Sequence, residues 1–347
     1  MTKALRSITV LFAAFVIILN AQLVRAQHGN KPKIGFSIEA MKGERWQTDL
    51  DSFQSRANQL GAEVISADAD GDDNRQFEQV KDMIKAGIKV LVLLPHDTTK
   101  ASRIVGAAKS ANVKVISYDR LVLNSDVDLY VSFDSVEIAS MQAEYLVKHA
   151  PKGNYVLIAG SPNDEGAKAL HDEQMKVLQP YVDSGDIKVI ADAYTKDWLP
   201  TEAYLSMLKA IESTQGNIAA VLASNDGLAG GAIQALLEHN LAGKVLVSGQ
   251  DADLRAIICI AQGTQSMTVY KPVANEAAVA AEEAVRLAKG EGTRANRESS
   301  NGKVNVPAIL LKPIVVTRDN IKETVVKDGF QTLKRINQAL PENQQIK

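Results

Sequence analysis

The chain has 347 residues, with 39 Lys and Arg against 41 Asp and Glu, 46% hydrophobic residues and a single cysteine. A formal net charge of −2 leaves no electrostatic footprint for nucleic acid, so no nucleic-acid partner is expected. Cys259, in the apolar run AIICIA, has no partner for an internal disulfide and reads as a buried helix residue, and the five histidines are scattered without ligand spacing, so neither a metal nor another cofactor is expected.

The first residues, MTKALRS, are basic. The apolar run ITVLFAAFVIIL follows, and NAQLVRA ends in small residues at Ala26. Together they describe a secretory signal peptide over residues 1–26. The run of about twelve residues falls short of the roughly twenty needed to span a bilayer. Cleavage near Ala26 removes Lys3, Arg6 and Arg25 and no acid, leaving 36 basic against 41 acidic residues in an exported, mildly acidic chain. What remains exceeds one ordinary hydrophobic core, so two domains are expected.

From residue 33, short apolar β-branched runs alternate with longer amphipathic ones. Strands are expected over 33–38, 62–67, 90–94, 113–118, 129–133, 155–159, 187–191, 219–223, 245–248 and 267–270. Helical patterns lie between most of them. In NRQFEQVKDMIKAG apolar positions recur at helical spacing, Asp72 and Asp73 supply a cap, and Gly87 ends the run. Continuous apolar strands separated by helices predict an α/β protein with parallel sheets covered on both faces. The pattern reaches LYVSF and restarts at NYVLIAG, which places the first crossing between two similar lobes around residues 133–137. After residue 270 come the helix AAVAAEEAVRLAKG, the polar stretch GEGTRANRESSNGKVN, the run AILLKPIVVT and, over 331–347, a polar tail expected to fray.

Two decoys are set aside. DADGDDNRQFEQ alternates acids like a calcium loop, but Asp73 holds the sixth position, where Gly is needed, and Gln79 the twelfth, where Glu is needed; it reads as a strand end and helix cap. GLAGGA lacks dinucleotide-binding spacing.

The residues that follow the strands carry the functional signal. KIGFSI leads to a loop with Arg45 and Trp46, and VKVISY to Asp119 and Arg120. YVLIAG leads to Ser161, Asn163 and Asp164, and the next strand to Trp198. AAVLAS leads to Asn225 and Asp226, VLVSG to Gln250 and Asp251, and MTVY to Lys271. Open parallel sheets bind ligands outside the carboxyl ends of their strands, so these groups would converge on one crevice between facing lobes. Each has a bland alternative: Asn225 and Asp226 as helix caps, Trp198 as a staple before Pro200, Asp119 and Arg120 as a surface pair worth about 1 kcal/mol or less. Only their joint position favours a site. Arg45, Arg120 and Lys271 balance Asp119, Asp164 and Asp251, which disfavours a charged ligand. A neutral polyhydroxyl molecule fits, since each hydroxyl can donate to a carboxylate and accept from a cation. Trp46 and Trp198 would supply flat faces for the C–H surface of a sugar ring.

The blocks GERWQ, YDR, GSPND, QMKVLQPYVDSG, DWLP, SNDGLAGGAIQAL, SGQDADL, AQGTQSMTVYKP and VKDGF resemble the periplasmic D-xylose-binding proteins of bacterial ABC sugar importers, over residues 33–330. The resemblance implies a type I periplasmic binding protein: two Rossmann-like lobes with parallel sheets, joined by three hinge strands. It implies an N-terminal lobe of residues 31–136 plus 275–306 and a C-terminal lobe of 137–274 plus 307–330. It further implies a monomer in the periplasm that hands a monosaccharide to a membrane ABC permease and can also be read by a chemoreceptor or sensor kinase. Carried over by position, the sugar contacts are Arg45, Asp119, Arg120, Asp164, Asn225, Asp251 and Lys271, with the ring between Trp46 and Trp198. One contact departs from the family pattern: Gly166 stands where the family has Asn, and a lost hydrogen-bonding side chain costs about 1 to 3 kcal/mol unless water or Glu165 replaces it. D-xylose is therefore the expected ligand, with another pentose or hexose as the alternative, and sugar sensing as the alternative role. Catalysis is not expected, because a glycosidase needs one carboxyl of raised pKa, whereas a cationic neighbour lowers it. A sugar-responsive repressor would need a helix-turn-helix where the signal peptide lies.

Overall fold

A computed structural model describes residues 31–41 and 44–347. The expected signal peptide lies outside the described residues. The first lobe opens with β1 (Lys33–Ile38), α1 (Glu44–Gln59), β2 (Glu63–Asp68), α2 (Asp73–Lys85), β3 (Val90–Leu93), α3 (Ser102–Ser110), β4 (Lys114–Tyr118) and β5 (Leu129–Phe133). The second lobe follows with α4 (Ser135–His149), β6 (Gly153–Ala159), α5 (Glu165–Asp183), β7 (Ile187–Tyr194), α6 (Pro200–Thr214), β8 (Ala220–Ala223), α7 (Asp226–Glu238), β9 (Leu246–Val247), α8 (Leu254–Gln262) and β10 (Thr268–Tyr270). The chain then returns to the first lobe through α9 (Val273–Ala288), β11 (Arg297–Ser300) and β12 (Asn305–Leu311), and ends in the second with β13 (Ile314–Val316) and α10 (Leu333–Gln338).

The first sheet has the order β11-β12-β5-β4-β3-β1-β2 and is parallel except for β11. Its middle strands are buried on both faces, as VLVL in β3 shows, because helices cover both sides. On one side Ala277, Ala280, Ala281 and Ala284 of α9 are fully buried in a cluster with Phe53 and Ala57 of α1; their small side chains let the two helices approach closely. The second sheet, β7-β6-β8-β9, is parallel and continues through a bridge between Gln250 and Val269 into the antiparallel pair β10–β13. Behind its carboxyl edge the fully buried Gln142 donates through Nε2 to the carbonyls of Gly249 (2.9 Å) and Ser224 (3.2 Å), while its Oε1 accepts from Gln174 Nε2 at 2.7 Å. One side chain thus fixes the strand ends that lead into Asn225 and Asp251.

The chain passes between lobes at residues 133–135, 271–273 and 311–314. The third passage corrects an expectation: β12 pairs with β5 as far as Leu311 opposite Phe133, so residues 307–311 belong to the first lobe. The apolar run AILLKPIVVT is split between two sheets at Lys312–Pro313, where proline cannot extend a ladder. The tail is a second correction. Residues 331–347 do not fray as a polar segment; Ile336 and Leu340, one helical turn apart, are buried against Ile257, Tyr270, Ile321 and Val325. Their burial outweighs the polar composition around them. Ile336→Ala is expected to lower unfolding stability by about 2 to 4 kcal/mol, read as a reduced urea midpoint. An unchanged midpoint would mean that the tail contributes nothing.

Candidate ligand-binding site

A cavity of about 360 Å³ lies between the lobes, and all nine residues carried over from the family resemblance line it, as does Gln250, whereas Ser161, Asn163 and Asp226 do not. Arg45 and Trp46 come from α1, Asp119 and Arg120 follow β4, Asp164 caps α5, Trp198 follows β7, Asn225 caps α7, Asp251 follows β9, and Lys271 sits at the second passage between lobes. The loop expected for Arg45 and Trp46 is instead the first turn of α1, and both are buried, at 5% and 8% exposure. Trp46 belongs to the first lobe's core, and the Arg45 guanidinium lies 4.0 Å over its ring. That cation–π contact buries the pair in a helix where a loop is expected.

Charges meet in pairs, some within the first lobe and some across the cleft. Arg45 Nη2 lies 3.0 Å from Asp119 and its Nη1 3.6 Å from Asp251 of the other lobe. Lys271 Nζ lies 3.0 Å from Asp251 and 3.6 Å from Asp119. Arg120 Nε reaches Asp164 across the gap at 3.1 Å, with Glu39 at 3.4 Å from Nη2. Burial alone would raise the Asp119 carboxyl, but the opposing charges of Arg45, Lys271 and Arg120 overcome it and hold Asp119 well below the usual range. Burial likewise works against the cations, yet Asp119 keeps Arg45 charged and Asp164 keeps Arg120 charged.

The sequence balance of three cations against three acids was incomplete. Asp49 and Glu276 lie 3.4 and 3.3 Å from Arg45 Nη2, and Glu39 faces Arg120. Asp49 was discoverable as the i+4 partner of Arg45 on one helix. Glu276, 231 residues away in sequence, left no local signal. Burial raises the Asp49 carboxyl to about 6 despite Arg45 and a hydrogen bond from Tyr118. Glu276 is pushed well above its ordinary range by burial and by Asp119, against the pull of Arg45.

Three site residues hold left-handed backbone that non-glycine residues rarely adopt: Asp119 (φ +59°), Trp198 (φ +57°) and Asp251 (φ +100°). Each lies in a local lock. The Asp119 carbonyl accepts from the hydroxyls of Ser132 (2.8 Å) and Tyr130 (3.0 Å). The turn after Asp251 is held by Asp226, whose carboxylate accepts from Asp253 N, Thr268 Oγ1 and Gln265 Nε2 at 2.8 to 3.0 Å. Asp226 is thus a buried organiser, and the cap of α7 is Asn225, whose Oδ1 accepts from Leu228 N at 2.9 Å. The Trp198 ring fits only because residue 160 is glycine: a Cβ there would stand 2.2 Å from it. Gly166 lines the cavity, and its N–H donates to Asp164 Oδ1 at 2.9 Å.

Comparisons with known proteins converge. Residues 34–292 match the family model described as a periplasmic binding protein domain. The D-xylose-binding periplasmic protein of Haemophilus influenzae is 48% identical over 309 residues, covering 89% of this chain and 93% of that protein. The protein of the same description from Escherichia coli is 48% identical over 305 residues, covering 88% and 92%. An ABC transporter solute-binding protein from Clostridium phytofermentans, solved with bound β-D-glucose, superposes with a TM-score of 0.82 at 29% identity, covering 88% of this chain and 99% of that one.

Asp49 makes stability depend on pH in a defined direction. Its folded pKa of about 6 lies above the ordinary 3.8, so its contribution is complete below about pH 4 and is lost as pH rises to 6. Asp49→Asn lacks this loss. Relative to the parent, the variant is expected to gain stability between about pH 4 and 7, by an amount on the order of 3 kcal/mol at most, in urea titrations at the two pH values. Parallel profiles for the two proteins would remove the assignment.

Proposed function

The chain belongs to the periplasmic binding protein family, and from that premise we propose that it captures one neutral monosaccharide, D-xylose, between its lobes and delivers it to a membrane ABC permease. The observation that carries this reading is the mutual pairing of the cavity's charges: Arg45 with Asp119 and Asp251, Lys271 with Asp251, Arg120 with Asp164. An anion or an ammonium would have to break such a pair and leave a buried charge behind. A hydroxyl can bridge one, donating to the carboxylate and accepting from the cation. Trp46 and Trp198 would face the ring's C–H surfaces.

The 48% identity to D-xylose-binding proteins favours the pentose. Gly166 adds no side chain at its point of the lining, which is where selectivity against other pentoses and hexoses would be relaxed. A pentose has about ten non-hydrogen atoms, so a sub-micromolar complex requires about −0.9 kcal/mol per atom, inside the ceiling for very small ligands. That efficiency demands a closed, dry cleft, and closure brings Arg120 to Asp164 and the Thr98 hydroxyl to the Asn163 carbonyl (3.4 Å). The closed shape is what the permease, or a chemoreceptor or sensor kinase, would recognise. The protein would act in the periplasm as a monomer after cleavage near Ala26. It would do no covalent chemistry: the relatives at 48% identity are described as binding proteins, and the Asp49 and Glu276 carboxyls, both raised by burial, lie outside the cavity lining.

Calorimetric titration with D-xylose, L-arabinose, D-ribose, D-glucose and D-galactose tests the reading. D-xylose is expected to bind most tightly. At about a thousand times Kd it should stabilise the fold by about 4 kcal/mol and raise the melting temperature by several degrees. Trp46→Ala and Asp251→Ala should each abolish most of that rise. Full affinity in both variants would place the sugar elsewhere.

A further inference from the structure

We propose that Glu276 is a positioning residue for sugar capture, holding Arg45 Nη2 together with Asp49 so that the guanidinium stays within reach of Asp119 on its own lobe and, through Nη1, of Asp251 on the opposite lobe. This rests on the sugar-binding reading above and adds a residue that lies outside the cavity lining. Glu276 is fully buried in the first turn of α9, five residues beyond Lys271, and its Oε2 accepts from Arg45 Nη2 at 3.3 Å. The two residues bracket the second passage between lobes. Lys271 engages Asp251 on one side, and Glu276 engages Arg45 on the other. The angle of the passage and the aim of Arg45 are thereby set by one short stretch of chain.

Charge counting indicates that Glu276 does this as a neutral acid. Three carboxylates, from Asp119, Asp49 and Glu276, lie within 3.4 Å of one guanidinium nitrogen, and a single cation cannot balance three buried anions. Asp119 has Lys271 as a second cation, and Asp49 accepts a hydrogen bond from the Tyr118 hydroxyl. Glu276 makes no ion pair with Lys271 and accepts no tyrosine hydrogen bond, and among the described residues its Oε1 has no hydrogen-bond partner. It is the least supported of the three as an anion. The titratable and charged groups that face it are Arg45 and Asp49 on α1, Tyr118 and Asp119 at the end of β4, Tyr130 on β5 and Lys271 ahead of α9. Burial and the nearby Asp119 and Asp49 favour its protonated form, against Arg45 and Lys271. Once ionised at alkaline pH, Glu276 would compete with Asp119, Asp251 and the sugar for the same guanidinium, and affinity would fall.

The test is D-xylose calorimetry on the full chain from about pH 6 to 9, with melting curves recorded in parallel. The parent is expected to lose affinity at the alkaline end, by about threefold or more. Glu276→Ala, which removes the contact on Arg45, should weaken binding about tenfold or more across the range. Glu276→Gln retains shape and an acceptor but cannot ionise. It should restore most of what the alanine variant loses and abolish the alkaline decline. A role in packing alone would lower the melting temperature of both variants and leave the pH profile unchanged. The inference is overturned if Glu276→Ala binds within about threefold of the parent, if the parent shows no alkaline decline, or if Glu276→Gln keeps the parent's profile. Should the alanine variant fail to fold, the profiles of the parent and Glu276→Gln decide. Absence of sugar binding by the parent would instead overturn the proposed function itself.

Discussion

A guanidinium at 5% exposure needs acidic side chains around it in a protein interior, and for Arg45 those side chains come from four places in the fold. Asp49 lies one turn along the same helix, Asp119 at the end of β4, Glu276 beyond the second passage between lobes, and Asp251 on the opposite lobe. The arrangement of both sheets and the connection between them are therefore written into the environment of one side chain. The same constraint fixes the chemistry of the cleft. Because each cation of the cleft already has a carboxylate within reach, what remains on offer to a ligand is oriented donors and acceptors, which suit hydroxyls better than anions.

Holding these groups in place requires backbone that is unfavourable by itself. Asp119, Trp198 and Asp251 adopt left-handed conformations, each of order 1 to 3 kcal/mol less favourable than extended or helical backbone. The compensation is visible beside each: Tyr130 and Ser132 on the Asp119 carbonyl, Asp226 under the turn after Asp251, and the missing Cβ of Gly160 under Trp198. Gln142 and Asp226 touch no cavity surface, yet they tie together the strand ends on which Asn225 and Asp251 stand. The sheets supply direction, and the buried polar groups behind them supply precision.

The sequence was informative wherever a feature is local. Strands buried on both faces read as continuous apolar runs, and the polar residues after each run can be named without tertiary contacts; the family resemblance is what narrows them to nine. Features defined by distant partners were illegible. Glu276 meets Arg45 across 231 positions, and its helix reads as an ordinary alanine-rich segment. The stretch AILLKPIVVT serves two sheets, a division that only the pairing of Leu311 with Phe133 reveals. The stretch GERWQ carries no Ser, Thr, Asp or Asn ahead of its first helical residue to mark a helix start, so the first turn that holds Arg45 and Trp46 is not visible in the sequence. The tail was misjudged because composition averages over a segment, while Ile336 and Leu340 act through their spacing.

The distances across the cleft distinguish pairs that hold the lobes together from pairs with room for a ligand group. Arg120 to Asp164, at 3.1 Å, is a direct contact between lobes and closes one side of the cavity. Arg45 to Asp251 and Lys271 to Asp119, at 3.6 Å each, attract without a well-formed hydrogen bond. A hydroxyl engaging either pair exchanges one long contact for two charge-assisted hydrogen bonds of normal length, with no net charge brought into the interior. Under the proposed function, closure and sugar capture would use the same groups in the same geometry: the lobe contacts orient the cations and acids, and the hydroxyls would complete the pairs that protein atoms alone leave too long. Selectivity for a neutral polyol would follow from that shared use, because any ligand that satisfied one partner and not the other would leave the second buried without compensation.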